Sequence, residues 1–127
     1  MIYLMYQITK KRRSVGGKIM MVSQLINRNG NPAANQFVIH EDNGDIAFQS
    51  YRSRVCEIRL HGGMGFDKVV VLGRDWDYSS TTLKHLRIFL EDNGVDMGYT
   101  ADIRRCIERG YILDNESVAV IYDDTMR

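Results

Sequence analysis

Polar and apolar residues alternate along the first half of the chain and recur at helical spacing in the second, so the pattern predicts a sheet followed by helices. Residues 21–26 form an apolar-rich strand, closed by Asn27-Arg28-Asn29-Gly30-Asn31-Pro32, a cluster of turn-tolerant residues. A long loop or wide hairpin leads to residues 36–40, with Phe37 and Ile39 on one face. Asp42-Asn43-Gly44 links this strand to Ile46-Ala47-Phe48 with the strongest hairpin signature in the chain. Residues 54–60 alternate cleanly, which puts Cys56, Ile58 and Leu60 on the expected core face and Val55, Glu57 and Arg59 on the other. Beyond His61-Gly62-Gly63-Met64-Gly65, the run Val69-Val70-Val71-Leu72 is apolar on both faces and reads as a central, doubly covered strand.

The clearest helix comes next. Ser79 or Ser80 can cap its N-terminus, Leu83, Leu86, Phe89 and Leu90 recur on one side over about three turns, and Asn93-Gly94 offers a left-handed stop. Thr100 caps a second helix over residues 101–109, with Ile103, Cys106 and Ile107 as its apolar stripe and Gly110 beyond its end. In that helix Asp102 can reach Arg105 and Arg104 can pair with Glu108, whereas Arg109 has no acid one turn back. Val118-Ala119-Val120-Ile121-Tyr122 is β-like and carries few of the Lys or Pro residues that guard a sheet edge, so it is expected to pair within or between subunits and to favour a homo-oligomer. The expected fold class is α+β: an antiparallel sheet of four to six strands, two packed helices, and a short C-terminal strand or tail.

Residues 20–127 are expected to form one domain, since 127 residues fit a single core that buries roughly two-thirds of the unfolded surface. Residues 1–19 stand apart, with an apolar start followed by Lys10-Lys11-Arg12-Arg13. They read either as an edge strand with a basic turn or as a non-native leader. Gly16-Gly17-Lys18-Ile19-Met20 can be encoded by a purine-rich ribosome-binding site before a start codon, which favours a natural start at Met20 or Met21.

Charge narrows the chemistry. With 17 basic and 16 acidic residues the net charge is +1, which argues against a general attraction for nucleic acid or an anionic membrane and makes any anion site local. Cys56 and Cys106 do not form a disulfide framework or a zinc motif, and there is no membrane-length apolar run, so a reduced, cytoplasmic protein is expected. The three histidines, His40, His61 and His85, lack metal-ligand spacing, and no paired carboxylates suggest acid–base work; neither metal, cofactor nor enzymatic activity is expected. His85 is expected at the helix boundary or surface. Gly62-Gly63-Met64-Gly65 lacks the Lys-Ser/Thr ending of a phosphate loop and precedes a strand, so it reads as a hairpin loop.

Three features have the right types for an anionic, aromatic ligand. Ser79-Ser80-Thr81-Thr82 sits at a helix start, where amide groups and the dipole favour an anion, although one hydroxyl capping and the rest meeting water is the ordinary arrangement. Arg105 and Arg109 lie one turn apart and form either a solvated basic face or a phosphate clamp. Trp76 and Tyr78 offer either a stacking platform or a staple packed on the sheet.

Two sequence blocks carry a resemblance. Ile46-Ala47-Phe48-Gln49-Ser50-Tyr51 precedes a strand with Val55-Cys56, and Trp76-Asp77-Tyr78-Ser79-Ser80-Thr81-Thr82-Leu83-Lys84-His85 precedes Phe89-Leu90. In this order they resemble small proteins of phages and mobile elements with a phenylalanine-any-serine-tyrosine strand and a tyrosine-serine-any-threonine-threonine-any-lysine-histidine helix start. The pattern is also similar to the first family of Thoeris anti-defence sponges, sheet-plus-two-helix oligomers that sequester cyclic ADP-ribose signals without catalysis. Arg52 departs from the usual threonine after serine-tyrosine, and Cys56 stands where alanine is common. The resemblance implies a phage protein acting in the cytoplasm of an infected bacterium on a small phosphorylated nucleotide-like signal. Arg105, Arg109, Trp76, Ser80, Thr81, Thr82 and Lys84 are then its candidate ligand-binding residues. The alternative is an inhibitor that blocks a host defence enzyme or nuclease by direct protein contact.

Overall fold

The computed structural model describes residues 12–15, 18–60, 65–96, 100–109, 112–113 and 118–127. Strands β1 (Arg12–Val15), β2 (Lys18–Ile26), β3 (Pro32–Glu41), β4 (Ile46–Ser50), β5 (Ser53–Arg59) and β6 (Lys68–Gly73) pair in succession, each antiparallel to the last. Helices α1 (Ser80–Asp92) and α2 (Thr100–Arg109) follow, then β7 (Ile112–Leu113) and β8 (Val118–Asp123). The chain is α+β, as its periodicity predicts.

The sheet is mixed, not antiparallel throughout, and among the described residues it has eight strands instead of the four to six expected, in the order β1-β2-β3-β4-β5-β6-β8-β7. After two helices the chain returns to the same end of the sheet, so β8 enters parallel to β6 along its whole length, from Lys68↔Val118 to Gly73↔Asp123. β7 pairs with the start of β8 on its far side, at Val118 and Ala119. The expected edge strand therefore begins as an inner strand, and the argument from an exposed edge to a homo-oligomer loses its premise there. Gly110 and the loop at His61-Gly62-Gly63-Met64 lie outside the described residues.

Two bulges adjust the register. Between β2 and β3 the pairing moves from Gln24↔Phe37 to Ile26↔Pro32, and Asn35 takes a left-handed φ of 61° in the extra length. What reads in sequence as a loop before Gln36 is thus strand from Pro32 onward, with the proline at the first position, where its missing N–H matters least. Between β4 and β5 the pairing moves from Phe48↔Cys56 to Gln49↔Arg54, leaving Val55 as the extra residue. Val55 consequently joins Cys56 and Ile58 in the core instead of facing away from it. A strict two-residue period cannot anticipate this.

Both helices cover one face of the sheet. Leu86, Ile88, Phe89 and Leu90 of α1 and Ile103 of α2 share a buried cluster with Val38, Phe48, Cys56, Ile58, Val70, Leu72, Val118 and Val120. At its centre the rings of Phe48 and Phe89 stack 5.6 Å apart. On the opposite face Val69, Val71 and Ala119 are buried beside Phe66, Ile121 and Met126, so β6 is covered on both sides as its apolar run predicts. Helix α1 starts at the Ser79 cap, whose Oγ accepts from the Thr82 amide at 3.1 Å. It ends in a left-handed Gly94, φ 77°, with Gly94 donating to the Glu91 carbonyl and Val95 to that of Leu90.

Phe89→Ala removes the centre of this packing and is expected to lower unfolding stability by about 3–5 kcal/mol, measured by denaturant titration. His85 is buried on α1, not at the surface or boundary position expected from sequence. Burial lowers its pKa, Lys84 lowers it further, and the Thr81 backbone opposes; burial likewise lowers that of His40. Below the ordinary value of 6.5 the unfolded chain then binds protons that the folded chain refuses. Stability is fully present above that pH and falls as the pH drops through it. The melting temperature should decline from pH 7.5 to about 5.5, with a shallower slope in a His40→Gln, His85→Gln double variant.

Candidate functional site

The two sequence blocks meet in space. A cleft of about 720 Å³ opens between the β4–β5 turn and the start of α1, lined by Ser50, Tyr51, Arg52, Ser53 and Val55 on one side and Asp75, Tyr78, Ser79, Thr81 and Thr82 on the other. Its size suits a small organic ligand.

The turn that forms one wall is held in an uncommon conformation. Ser50 pairs with Ser53, so Tyr51 and Arg52 make a two-residue connection in which Tyr51 has a φ of 55°. Glycine normally fills such a position, because a Cβ crowds the left-handed backbone. Three contacts hold the turn against this. The Tyr51 amide donates 2.7 Å to the Asn35 carbonyl, tying the two left-handed residues together, and Gln49 Nε2 donates 2.8 Å to the Tyr51 carbonyl. The Ser50↔Ser53 pairing closes the hairpin below.

The facing wall is built by two successive turns after β6, in which the Trp76 amide donates to Gly73 and the Tyr78 amide to Asp75. They send Asp75 and Tyr78 into the cleft and Trp76 and Asp77 to a separate cavity of about 280 Å³. There the Arg104 guanidinium lies 5.3 Å from the Trp76 ring centroid and 2.7 Å from Asp77 Oδ2. Trp76 is only 4% exposed, within the main core cluster, and Arg104 pairs with Asp77 across the fold instead of with Glu108 along the helix.

Of the residues singled out from sequence, Tyr78, Ser79, Thr81 and Thr82 line the cleft. Thr82 is buried and its Oγ1 lies 3.0 Å from Ser79 Oγ, so the capping interaction also shapes the cleft wall. Ser80 and Lys84 are exposed on α1 outside the lining, and Trp76 belongs to the other cavity. Arg105 is exposed, lies 3.4 Å from Asp102 and lines neither cavity; the side chain of Arg109 lies outside the described residues, as does that of Cys106.

The sequence pattern does not single out Ser50, Tyr51, Arg52, Ser53 or Asp75 as site residues, yet all five line the cleft. The available signal was the serine-tyrosine ending of the first block, which puts an aromatic where the strand should be turning. Cys56, next to the bulge, is fully buried; burial and then the neighbouring Glu57 push its thiol far above the usual range, which suits packing and not nucleophilic chemistry.

The strained turn yields a separable prediction. Tyr51→Gly should keep the fold and leave stability unchanged or raised by up to about 1 kcal/mol, because the left-handed backbone no longer carries a side chain. Thermal unfolding checks the first half. Binding at the cleft should be lost in the same variant if the ring is there for a ligand.

All the cleft-lining residues fall within residues 20–105, the part of the chain that matches a family model described as a family of unknown function, DUF8033. No curated protein and no solved structure matches the chain. Because the match spans most of its length, the chain belongs to the DUF8033 family.

Proposed function

We propose that this protein is a non-enzymatic binding protein that captures a small phosphorylated, nucleotide-like signal in the cleft between the β4–β5 turn and α1. One observation carries the reading: Ser50-Tyr51 and Tyr78-Ser79-Thr81-Thr82, the polar ends of two blocks far apart in sequence, line the same cavity. Their resemblance to phage and mobile-element proteins, and to the sponges that take up cyclic ADP-ribose signals, gives the binding a biological sense. The protein would sequester an immune signal inside an infected bacterium without cleaving it.

The chemistry of the cleft agrees with that ligand class. Tyrosine rings stack on bases, hydroxyls bond sugar and phosphate oxygens, and the start of α1 has no acidic residue in its first turn to compete with an anion. Arg52 supplies a guanidinium suited to phosphate.

Calorimetry against cyclic ADP-ribose isomers and cyclic oligonucleotides tests the proposal. At least one should bind, and Arg52→Ala should weaken it by about 1.5–3 kcal/mol, roughly ten- to a hundredfold. Arg105→Ala and Arg109→Ala form the second arm. A loss confined to that arm would put the site on α2 instead. No heat from any of these ligands with folded protein would overturn the sponge reading.

A further inference from the structure

Resting on the proposed binding role, we infer that the cleft selects a planar ligand of low charge, a nucleoside bearing one phosphate or a cyclic phosphodiester, over a nucleoside triphosphate, and that Asp75 is the residue that discriminates. The first observation is aromatic. Among the described residues Tyr51, Tyr78 and Tyr122 are the large apolar side chains left exposed, and Tyr51 and Tyr78, at 63% and 80%, stand on this one cleft. One is carried by a turn whose left-handed backbone is held by hydrogen bonds, so its placement persists at a conformational cost. A flat ring entering the cleft covers surface that the fold leaves in water.

The second observation is electrostatic. The cleft is lined by one cation, Arg52, and one anion, Asp75. Neither side chain has an ion-pair or hydrogen-bond partner among the described residues, although neighbouring charges are committed: Arg54 to Glu41 and Glu57, Arg104 to Asp77. Arg52 and Asp75 do not pair with each other either. Two opposite, uncommitted charges across a small cavity suit a ligand that carries an acceptor and donors together. A phosphate oxygen meets Arg52, and a sugar diol or a base N–H meets the Asp75 carboxylate.

A triphosphate brings three or four negative charges to a lining that sums to zero. Its excess charges enter the cavity that Asp75 lines, where a partly enclosed pair of like charges is screened by salt much less than one in open solvent. Phosphate-binding sites for triphosphates carry several cations or a metal; here the nearby Lys84 and Arg74 lie outside the lining.

Titration calorimetry on the full chain, in chelator to exclude divalent ions, tests this with adenosine, AMP, 3′,5′-cyclic AMP and ATP, and with the guanine and uracil counterparts. In the best-binding base series the monophosphate or cyclic form should bind at least about tenfold more tightly than the triphosphate. Asp75→Asn, nearly the same shape without the charge, should shrink that ratio to about threefold or less by strengthening triphosphate binding. Tyr78→Ala should weaken the whole series together and leave the ratio unchanged. Triphosphate binding as tight as the cyclic form in the parent protein, or a ratio that Asp75→Asn does not move, overturns the inference while leaving a nucleotide-binding protein. No binding by any member of any series overturns the inference too, and leaves the sponge reading to be decided by the cyclic ADP-ribose and cyclic oligonucleotide titrations.

Discussion

The stacked rings of Phe48 and Phe89 fix where α1 lies on the sheet, and the site follows from that contact. Phe48 and Ser50 are two residues apart on one strand, so their side chains share a face. Thr82 and Phe89 are seven apart on one helix, about two turns, so they too share a face. Each sequence block therefore consists of an apolar anchor and a polar group on the same side of the same element. When the anchors meet, 5.6 Å between centroids, the polar ends are brought to one place just beyond the packed region. The cleft is the space left where α1 stops touching the sheet and the β4–β5 turn continues past it.

The loop between β6 and α1 adds a second constraint. Its two tight turns give it two working sides, one facing the cleft and one facing α2. Arg104 grips the α2 side at both Trp76 and Asp77, while the Arg74 amide donates to the Met126 carbonyl and fastens the loop to the chain end. A Cβ on Gly73 would come within 2.8 Å of the carbonyls of both Arg54 and Met126, so the chain passes through a slot that only glycine fits. The wall carrying Asp75 and Tyr78 is thus held from behind.

Local signals in the sequence carried the elements well. The Asp42-Asn43-Gly44 turn, the Ser79 cap and the Gly94 stop are each decided by a few adjacent residues whose backbone preferences agree, and each is present. The parallel β8 was not legible, because an isolated apolar strand says nothing about which neighbour it will join. The Val55 bulge was hidden for a related reason: inserting one residue in a strand changes facing without changing composition. Trp76 is the instructive case for the site. An aromatic before a helix has both a stacking and a stapling reading, and only the position of Arg104 over its ring and its place in the core show that its surface is already used.

Why the cleft stays open is a question about polar groups. The same face of the sheet that is apolar at Val38 and Phe48 becomes polar one step along, at Gln36 and Ser50, which sit opposite each other in the β3–β4 pairing. Both are buried, as is Thr82 above them, and Gln36 Oε1 has no hydrogen-bond partner among the described residues. Burying an amide oxygen unpaired costs free energy that a leucine at the same position would not, so this row works against dry closure of helix on sheet. Replacing these side chains with apolar ones would extend the core and close the wedge. Polar residues at this point weaken the packing at the margin, and two of them, Ser50 and Thr82, line the cleft itself, so the core ends in walls that can hydrogen-bond.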